Sequence, residues 1–485
     1  MIRFVSTRGG IAPVAFDEAV LQGFAADGGL FVPDSIPVVS AAELERLSTL
    51  DFPALASELV SRFVDPAVID HARLRTLVAD GFRAFDARDV VELVTLQGSG
   101  GLRVLELFHG PTLSFKDLAM GFLMNVVDDL LEQRGERLNI VLATTGDTGP
   151  AAAWAAAGKK RIDCWPLYPL GMISDAQARQ MTTLEADNVH PVAVEDCRDG
   201  GDDLDLVVAD LFGDGDTRRE LKLSSVNSIN WCRVMMQAVH YFHAYFRTVE
   251  AVGDPIVFSV PTGAFGNLFG GYLARAMGLP VARFVCANNV NDGLHTAITT
   301  GSFPRRDLVQ TPSSAIDIVA PYNFWRLLHC VTGGDSARIR RWMDDFTARR
   351  EARLDDTTSR SLRDIFASAA IADQTTLDTM RSVHSESGYL LDPHGAVAVA
   401  AARAVASELP SGVPVVCLAT AHPAKFPDVV ARALGGDRGL PAAARHPSIE
   451  NARHACQHLR LCSLEHLRSG LAQAMRRQIV RRTDG

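Results

Sequence analysis

Five of the 48 basic residues are lysines (Lys116, Lys159, Lys160, Lys222 and Lys425), and the rest are arginines. Where arginine serves nearly every place that needs only a positive charge, a lysine that persists marks a place where an amine is wanted. Lys159 and Lys160 follow Gly158 at a helix end, where complementing the dipole accounts for them. Lys116 is different. It stands in Leu113-Ser114-Phe115-Lys116-Asp117-Leu118, apolar on both sides. Burial there lowers the amine pKa and keeps part of it as the free base, a nucleophile toward carbonyl carbon. A lysine whose stem merely snorkels along the surface is the competing reading of this segment.

Two glycine-bearing loops offer a second kind of chemistry, Thr144-Thr145-Gly146-Asp147-Thr148-Gly149 and Thr262-Gly263-Ala264-Phe265-Gly266-Asn267. Each follows a β-branched apolar run and leads into a helical stretch, so unpaired N–H groups and the positive helix end face one anion site. Neither matches a nucleotide motif. No GxxxxGK[ST] occurs, and Gly263-Ala264-Phe265-Gly266 lacks the GxGxxG spacing, so a nicotinamide oxidoreductase would rest on strand–glycine–helix units alone. One glycine turn is commonly just a tight connection. Two of them beside an amine in apolar surroundings suit pyridoxal phosphate, whose aldehyde needs a lysine, whose phosphate needs a backbone nest and whose ring needs a polar partner.

The elements that must carry these residues repeat one theme: an apolar run, a glycine-bearing loop, an alanine-rich helix. Asn139 to Ala143 precedes the first loop and a helix over Ala151 to Ala157. Ile256 to Val260 precedes the second, a helix ending near Gly278 and a strand at Val281 to Ala287. Val413 to Leu418 precedes Ala419 to Pro423 and a helix to about Leu434. This alternation predicts parallel sheets covered by helices, an α/β fold. Residues 1 to about 97 alternate helical stretches with turns, and Gly98-Ser99-Gly100-Gly101 marks a boundary. Residues 446 to 485 read as helical and basic (Arg476, Arg477, Arg481, Arg482), a solvated terminal face.

A chain of 485 residues needs two or three packed units. Its 47% hydrophobic and 22% charged content is that of a globular protein, and a net charge of −9 argues against a general nucleic-acid binder. No apolar run is long enough for a membrane span, and no apolar segment follows the basic residue near the start, so no signal peptide is expected. The eight cysteines have no CxxC pairing or nearby histidine partners. They read as buried reduced thiols of a cytoplasmic protein, with neither a disulfide framework nor a metal site.

The run Glu106-Leu107-Phe108-His109-Gly110-Pro111-Thr112-Leu113-Ser114-Phe115-Lys116-Asp117 resembles the cofactor-lysine motif of the threonine synthase family. The likeness continues along nearly the whole chain, through Asp27-Gly28-Gly29-Leu30-Phe31-Val32-Pro33, Thr145-Gly146-Asp147-Thr148-Gly149, Asn227-Ser228-Ile229-Asn230-Trp231, Val260-Pro261-Thr262-Gly263, Asp392-Pro393-His394 and Thr420-Ala421-His422-Pro423-Ala424-Lys425-Phe426. It implies the fold of type II pyridoxal-phosphate enzymes, similar to the tryptophan synthase β chain: an N-terminal domain over 1–97, a large cofactor-binding α/β domain over 98–138 and 250–440, a small α/β domain over 139–249, and a helical tail over 441–485. It further implies that Lys116 is the Schiff-base lysine and proton shuttle. Gly263, Ala264, Phe265, Gly266 and Asn267 would cradle the cofactor phosphate, and Thr420 would face the pyridine nitrogen. Asp147 would lie near the phenolic oxygen. Thr145, Gly146 and Thr148 would receive the substrate carboxylate, and Ser228, Asn230 and Arg233 its phosphate, with no metal.

The implied reaction turns O-phospho-L-homoserine and water into L-threonine and phosphate, by γ-elimination and then addition of water at the β carbon. The expected ligand is thus a small phosphorylated amino acid, bound by a monomer or homodimer. Some positions keep two readings. Asn227 to Asn230 could instead be a helix N-cap cluster; His422 and Lys425 could simply brace the Thr420 loop; His109 is either a ring-stacking contact or a satisfied core histidine. Three positions depart from the family pattern: Ala264 stands where the family has asparagine, Gly395 where threonine is usual, and Pro150 where a small polar residue is usual. The alanine-containing loop also resembles threonine synthase-like phospholyases, which eliminate phosphate and release 2-oxobutanoate. A paralogue of that kind, or one running another replacement on a related amino acid, is the alternative.

Overall fold

The computed structural model describes residues 2–87, 89–98, 100–198, 200–436 and 439–483. Ser99 of the expected turn and the Arg481 side chain lie outside the described residues. Two sheets dominate. The larger has six strands in the order Phe366–Ala370, Val281–Asn288, Ile256–Pro261, Val415–Ala419, Arg103–Glu106, Glu92–Thr95, parallel except for the last. The second has five parallel strands in the order Arg460–Ser463, Val192–Glu195, Ile162–Pro169, Leu138–Ala143, Leu223–Ser224. Ile256–Pro261 and Ile162–Pro169 are buried at every position, as strands covered on both faces must be; the first reads as apolar in sequence, while the second buries Asp163 against Arg482 and His190. Among the described residues no helix is long and apolar enough to cross a membrane.

The N-terminal unit is a short antiparallel pair, Phe4–Ser6 with Phe31–Pro33, followed by helices Ala41–Ser48, Phe52–Val60 and His71–Phe82. It meets the rest of the chain at several places, and one close crossing bears on Lys116. A Cβ on Gly121 would lie 2.7 Å from the carbonyl oxygen of Gly81, and one on Gly81 would lie 2.9 Å from the Phe122 nitrogen. Only two glycines let these backbones approach so closely. Gly121 belongs to Asp117–Arg134, the helix that begins right after Lys116, so the N-terminal unit braces the base of the suspected active lysine.

Several expected boundaries move. The first unit does not run to residue 97, because Glu92–Thr95 pairs with Arg103–Glu106 and closes the edge of the larger sheet. Helix Trp231–Thr248 leaves the smaller unit; it is buried along nearly its whole length in the core shared by the larger sheet and the N-terminal unit. The C-terminal segment is not simply a helical tail. Arg460–Ser463 adds a parallel strand beside Val192–Glu195, and Leu467, Leu471 and Met475 of the last helix fill the core of the second sheet. Its arginines are not simply solvated either: Arg476 grips Glu220 through two hydrogen bonds of 2.6 and 2.9 Å, and Arg482 donates to Asp163 at 2.8 Å. The cysteines are all free, but Cys456 is exposed and Cys197, Cys330 and Cys462 are half-buried, so burial describes only half of them.

Gly121→Ala is expected to destabilise the protein by roughly 1–3 kcal/mol, because the added methyl meets backbone that cannot move aside. Gly213→Ala, with open space at its Cβ, should change stability by no more than about 0.5 kcal/mol. Urea unfolding of both variants checks the contrast.

Candidate active site

Every loop singled out in the sequence leaves the carboxyl end of a strand. Thr144 to Asp147 follows Leu138–Ala143, Thr262 to Phe265 follows Ile256–Pro261, Thr420 follows Val415–Ala419, and the segment leading to Lys116 follows Arg103–Glu106. Loops at the carboxyl ends of parallel strands form the ligand crevice of such sheets. Here they enclose one cavity lined by Lys116, Asp147, Gly263 and Thr420, with Arg233 and Ser228 from the segment before and inside helix Trp231–Thr248. The Lys116 and Thr420 loops are tied to each other by the backbone: Phe115 donates its N–H to the Thr420 carbonyl at 2.9 Å, and His422 donates to the Leu113 carbonyl at 3.0 Å. Amine and hydroxyl are thereby held at a fixed separation.

The charges are arranged around Asp147. Its Oδ1 accepts from Lys425 Nζ at 2.7 Å and from Gln177 Nε2 at 2.9 Å, while Oδ2 lies 3.6 Å from Lys116 Nζ. Burial alone would raise the Asp147 carboxyl, but the amines of Lys425 and Lys116 together hold it well below the usual range. Lys116 is pushed down to about 8, chiefly by burial, with Asp147 pulling the other way and Arg233 and Lys425 reinforcing the fall. Roughly a tenth of that amine is therefore free base at pH 7, far more than an ordinary lysine offers. Asp117, the next residue, is raised to about 6 by burial despite accepting from the Thr112 N–H at 2.8 Å and its hydroxyl at 2.6 Å.

Two anion-binding features face the same cavity. Among the described residues, the N–H groups of Gly263, Ala264, Phe265 and Gly266 meet no protein acceptor, and they stand at the positive end of helix Gly266–Ala276. Phe265 holds the turn in the left-handed region, φ 62°, which a non-glycine residue keeps only when packing forces it. Its ring is clamped between Phe324 and Phe366, at centroid distances of 5.3 and 5.9 Å. The second feature is Arg233, 1% exposed. Its Nη1 donates to the Val226 carbonyl at 3.0 Å, its Nε has no partner, and no carboxylate lies within ion-pair distance among the described residues. Burial pushes its guanidinium down to about 10. A buried, unneutralised guanidinium opening on a cavity is a receptor for an anion.

Of the residues expected in the site, Lys116, Thr145, Asp147, Thr148, Ser228, Arg233, Gly263 through Asn267 and Thr420 all line the cavity. Asn230 does not. Its Oδ1 caps helix Trp231–Thr248 through the Cys232 N–H at 3.1 Å, and its Nδ2 donates to the Val20 carbonyl at 2.8 Å, so the N-cap alternative describes it. Gly146 is not among the lining residues: its N–H goes to the Thr144 hydroxyl at 3.2 Å, and a side chain there would strike Gln177 Nε2 at 2.4 Å. Asn267 turns its Oδ1 to Tyr241 and His240, both at 2.9 Å, leaving a buried Nδ2 without a partner. His109 is a satisfied histidine away from the cavity, 2.8 Å from Glu106 Oε2.

Two contributors, Gln237 and Arg326, escaped the sequence reading, and a third, Lys425, was read there only as a brace for the Thr420 loop. Lys425 is fully buried and faces Asp147; the scarcity of lysine that singled out Lys116 applied equally to it, in Ala424-Lys425-Phe426. Gln237 lines the cavity with a buried, unpartnered Oε1, and its i,i+4 spacing from Arg233 puts both on one helix face. Arg326 is buried and binds the carbonyls of Phe31 at 2.9 Å and Ser228 at 3.2 Å, fastening the Ser228 segment to the N-terminal unit. It is one arginine among dozens, and no spacing marks it.

These parts fit pyridoxal phosphate: a largely buried amine for its aldehyde, a nest of unpaired N–H groups for its phosphate and the Thr420 hydroxyl for its ring. Comparison with known proteins agrees. Family models for the threonine synthase N terminus, pyridoxal-phosphate dependent enzymes and the threonine synthase C-terminal region match residues 3–82, 96–421 and 395–468. A threonine synthase of Pseudomonas aeruginosa is 39% identical over 91% of this chain and 92% of its own length. The human threonine synthase-like 2 is 38% identical over 88% of each. The crystal structure of pyridoxal-phosphate-bound threonine synthase from Brucella melitensis superposes with a TM-score of 0.90 at 36% identity, covering 98% of this chain and 99% of that one. With lysine, phosphate nest and ring partner assembled on this fold, the chain belongs to the threonine synthase family of type II pyridoxal-phosphate enzymes.

Proposed function

We propose that this enzyme converts O-phospho-L-homoserine and water into L-threonine and phosphate. The observation that carries the substrate class is Arg233: a buried guanidinium without a carboxylate partner, beside a separate backbone nest that suffices for the cofactor's own phosphate. Two anion receptors in one cavity suit a phosphorylated cofactor and a phosphorylated substrate. Ser228 shares the cavity with Arg233 and lies beside the backbone nest, since a Cβ on Gly266 would come 3.4 Å from the Ser228 Cβ. Gln237 adds an amide there.

The remaining roles follow from position. The N–H groups of Thr145, Asp147 and Thr148 meet no protein acceptor among the described residues and receive the substrate carboxylate; the Gly146 N–H, already bound by Thr144, contributes to the loop instead. When bound, pyridoxal phosphate supplies the electron sink that makes the α and β carbons acidic. Lys116, freed when the substrate amine takes its place, moves protons at those carbons. Thr420 meets the ring nitrogen with a hydroxyl. Phe24, Phe115, Leu206 and Phe212 line the cavity as an apolar rim that meets solvent, Leu206 being 67% exposed, so closure over the site is needed to limit water until it adds at the β carbon.

A second reading is favoured by Ala264, which offers the reacting centre no side-chain amide, and by the near-equal identity to a threonine synthase and a threonine synthase-like relative. It shares every step until water adds. Supplying O-phospho-L-homoserine and separating the products decides between them: equal amounts of threonine and phosphate are expected, whereas 2-oxobutanoate without threonine would establish elimination.

Two further outcomes follow. Arg233→Ala should lower kcat/KM for the phosphorylated substrate by roughly ten- to 150-fold, the loss of about 1.5–3 kcal/mol from a charged hydrogen bond, while the bound-cofactor absorbance persists. Arg233→Lys should restore only part of it, lacking the planar fork. Because the Lys116 amine is pushed down to about 8, the rate at which cofactor-stripped protein recaptures pyridoxal phosphate should rise with pH and level off above that value. Stopped-flow absorbance from about pH 6 to 10, the range over which such an amine titrates, checks it.

A further inference from the structure

Lys425 is the second amine of the site, and its environment is more enclosed than that of Lys116. Its side chain is 0% exposed, against 11% for Lys116. It makes two contacts, to Asp147 Oδ1 at 2.7 Å and to the Thr112 carbonyl at 2.8 Å. Gln180 donates to that same carbonyl at 3.0 Å, and Gln177 to the same carboxylate oxygen at 2.9 Å. The carboxylate is therefore drawn toward Lys425. Its other oxygen stays 3.6 Å from Lys116 Nζ, beyond hydrogen-bond reach. A brace for the Thr420 loop would need only the contact to Thr112; it would not need a full charge buried against the carboxylate nearest the reactive amine.

We propose that Lys425 is a positioning residue that acts through Asp147: by neutralising the carboxylate and holding it back, it prevents a tight Asp147–Lys116 ion pair and leaves the Lys116 amine available as free base. A carboxylate facing a single amine in a dry cavity would favour the ammonium strongly. Shared between two amines, it favours neither fully. The inference rests on Lys116 being the cofactor lysine. It is independent of which substrate is turned over.

The groups facing this trio are few. Asp147 sees Lys425, Lys116 and His394; Lys116 sees Asp147, Arg233 and Lys425; Asp117 faces Lys425 and Arg233. Lys425→Gln removes the charge and retains a donor for the Thr112 carbonyl. The full-length protein, stripped of cofactor, is labelled with acetic anhydride at a series of pH values, and Lys116 acetylation is followed by peptide mass spectrometry, which gives the amine's titration midpoint directly. Lys425→Gln is expected to raise that midpoint by about one unit, roughly tenfold less free base at neutral pH. In an Asp147→Asn background the same change should shift it by clearly less, since only the direct repulsion between the two amines remains once the carboxylate through which Lys425 acts is gone.

An unchanged midpoint in Lys425→Gln would overturn the proposal and leave Lys425 as a loop brace. An equal shift in the Asp147→Asn background would overturn it too, pointing to direct repulsion between the amines. Should Lys425→Gln alone not fold, Lys425→Met, which keeps the bulk of the stem without its charge, takes its place in both backgrounds and is read in the same way: a raised midpoint that shrinks with Asp147→Asn supports the proposal, and no shift, or an equal shift in both, contradicts it.

Discussion

An amine can attack an aldehyde only as the free base, yet it must sit where charges bind a charged cofactor and substrate. The site meets both demands by placing one carboxylate between two amines, all three largely buried. Burial draws Lys116 down to about 8, and Asp147, claimed more closely by Lys425, does not restore it. Without that division of charge, the geometry of the surrounding loops would position a protonated, unreactive lysine.

The fold supplies the fixed points. Carboxyl ends of adjacent strands put the phosphate nest and the Thr420 loop side by side, and two backbone hydrogen bonds fasten the Lys116 loop to the latter. Helix Asp117–Arg134 carries Lys116 back to the glycine crossing with the N-terminal unit, while Arg326 ties the Ser228 segment to Phe31 of the same unit. The N-terminal unit thus contacts the helix that follows Lys116 and, through Arg326, the Ser228 segment, while its Phe24 lines the cavity.

Much of this was legible in order along the chain. Continuously apolar runs followed by glycine loops mark the parallel strands, because such strands are buried on both faces, and their local signal survives in sequence. What escaped depends on distant partners. Arg460–Ser463 is mostly exposed and carries no apolar alternation, so only its pairing with Val192–Glu195 makes it a strand. Asn230 and Ser228 stand two residues apart in one motif, yet one caps a helix and the other faces the cavity; which side chain a ligand can reach is decided by the turn, not by residue type. Lys425 was visible as a rare lysine, but its bond to Asp147 joins residues far apart in sequence.

Everything chemical here depends on Lys116 being the amine that joins pyridoxal phosphate. Borohydride reduction of the cofactor-loaded protein, followed by peptide mapping, tests that directly. The reduced cofactor should be found on the peptide carrying Lys116 and on no other. Label on Lys425, or on neither lysine, would contradict the assignment.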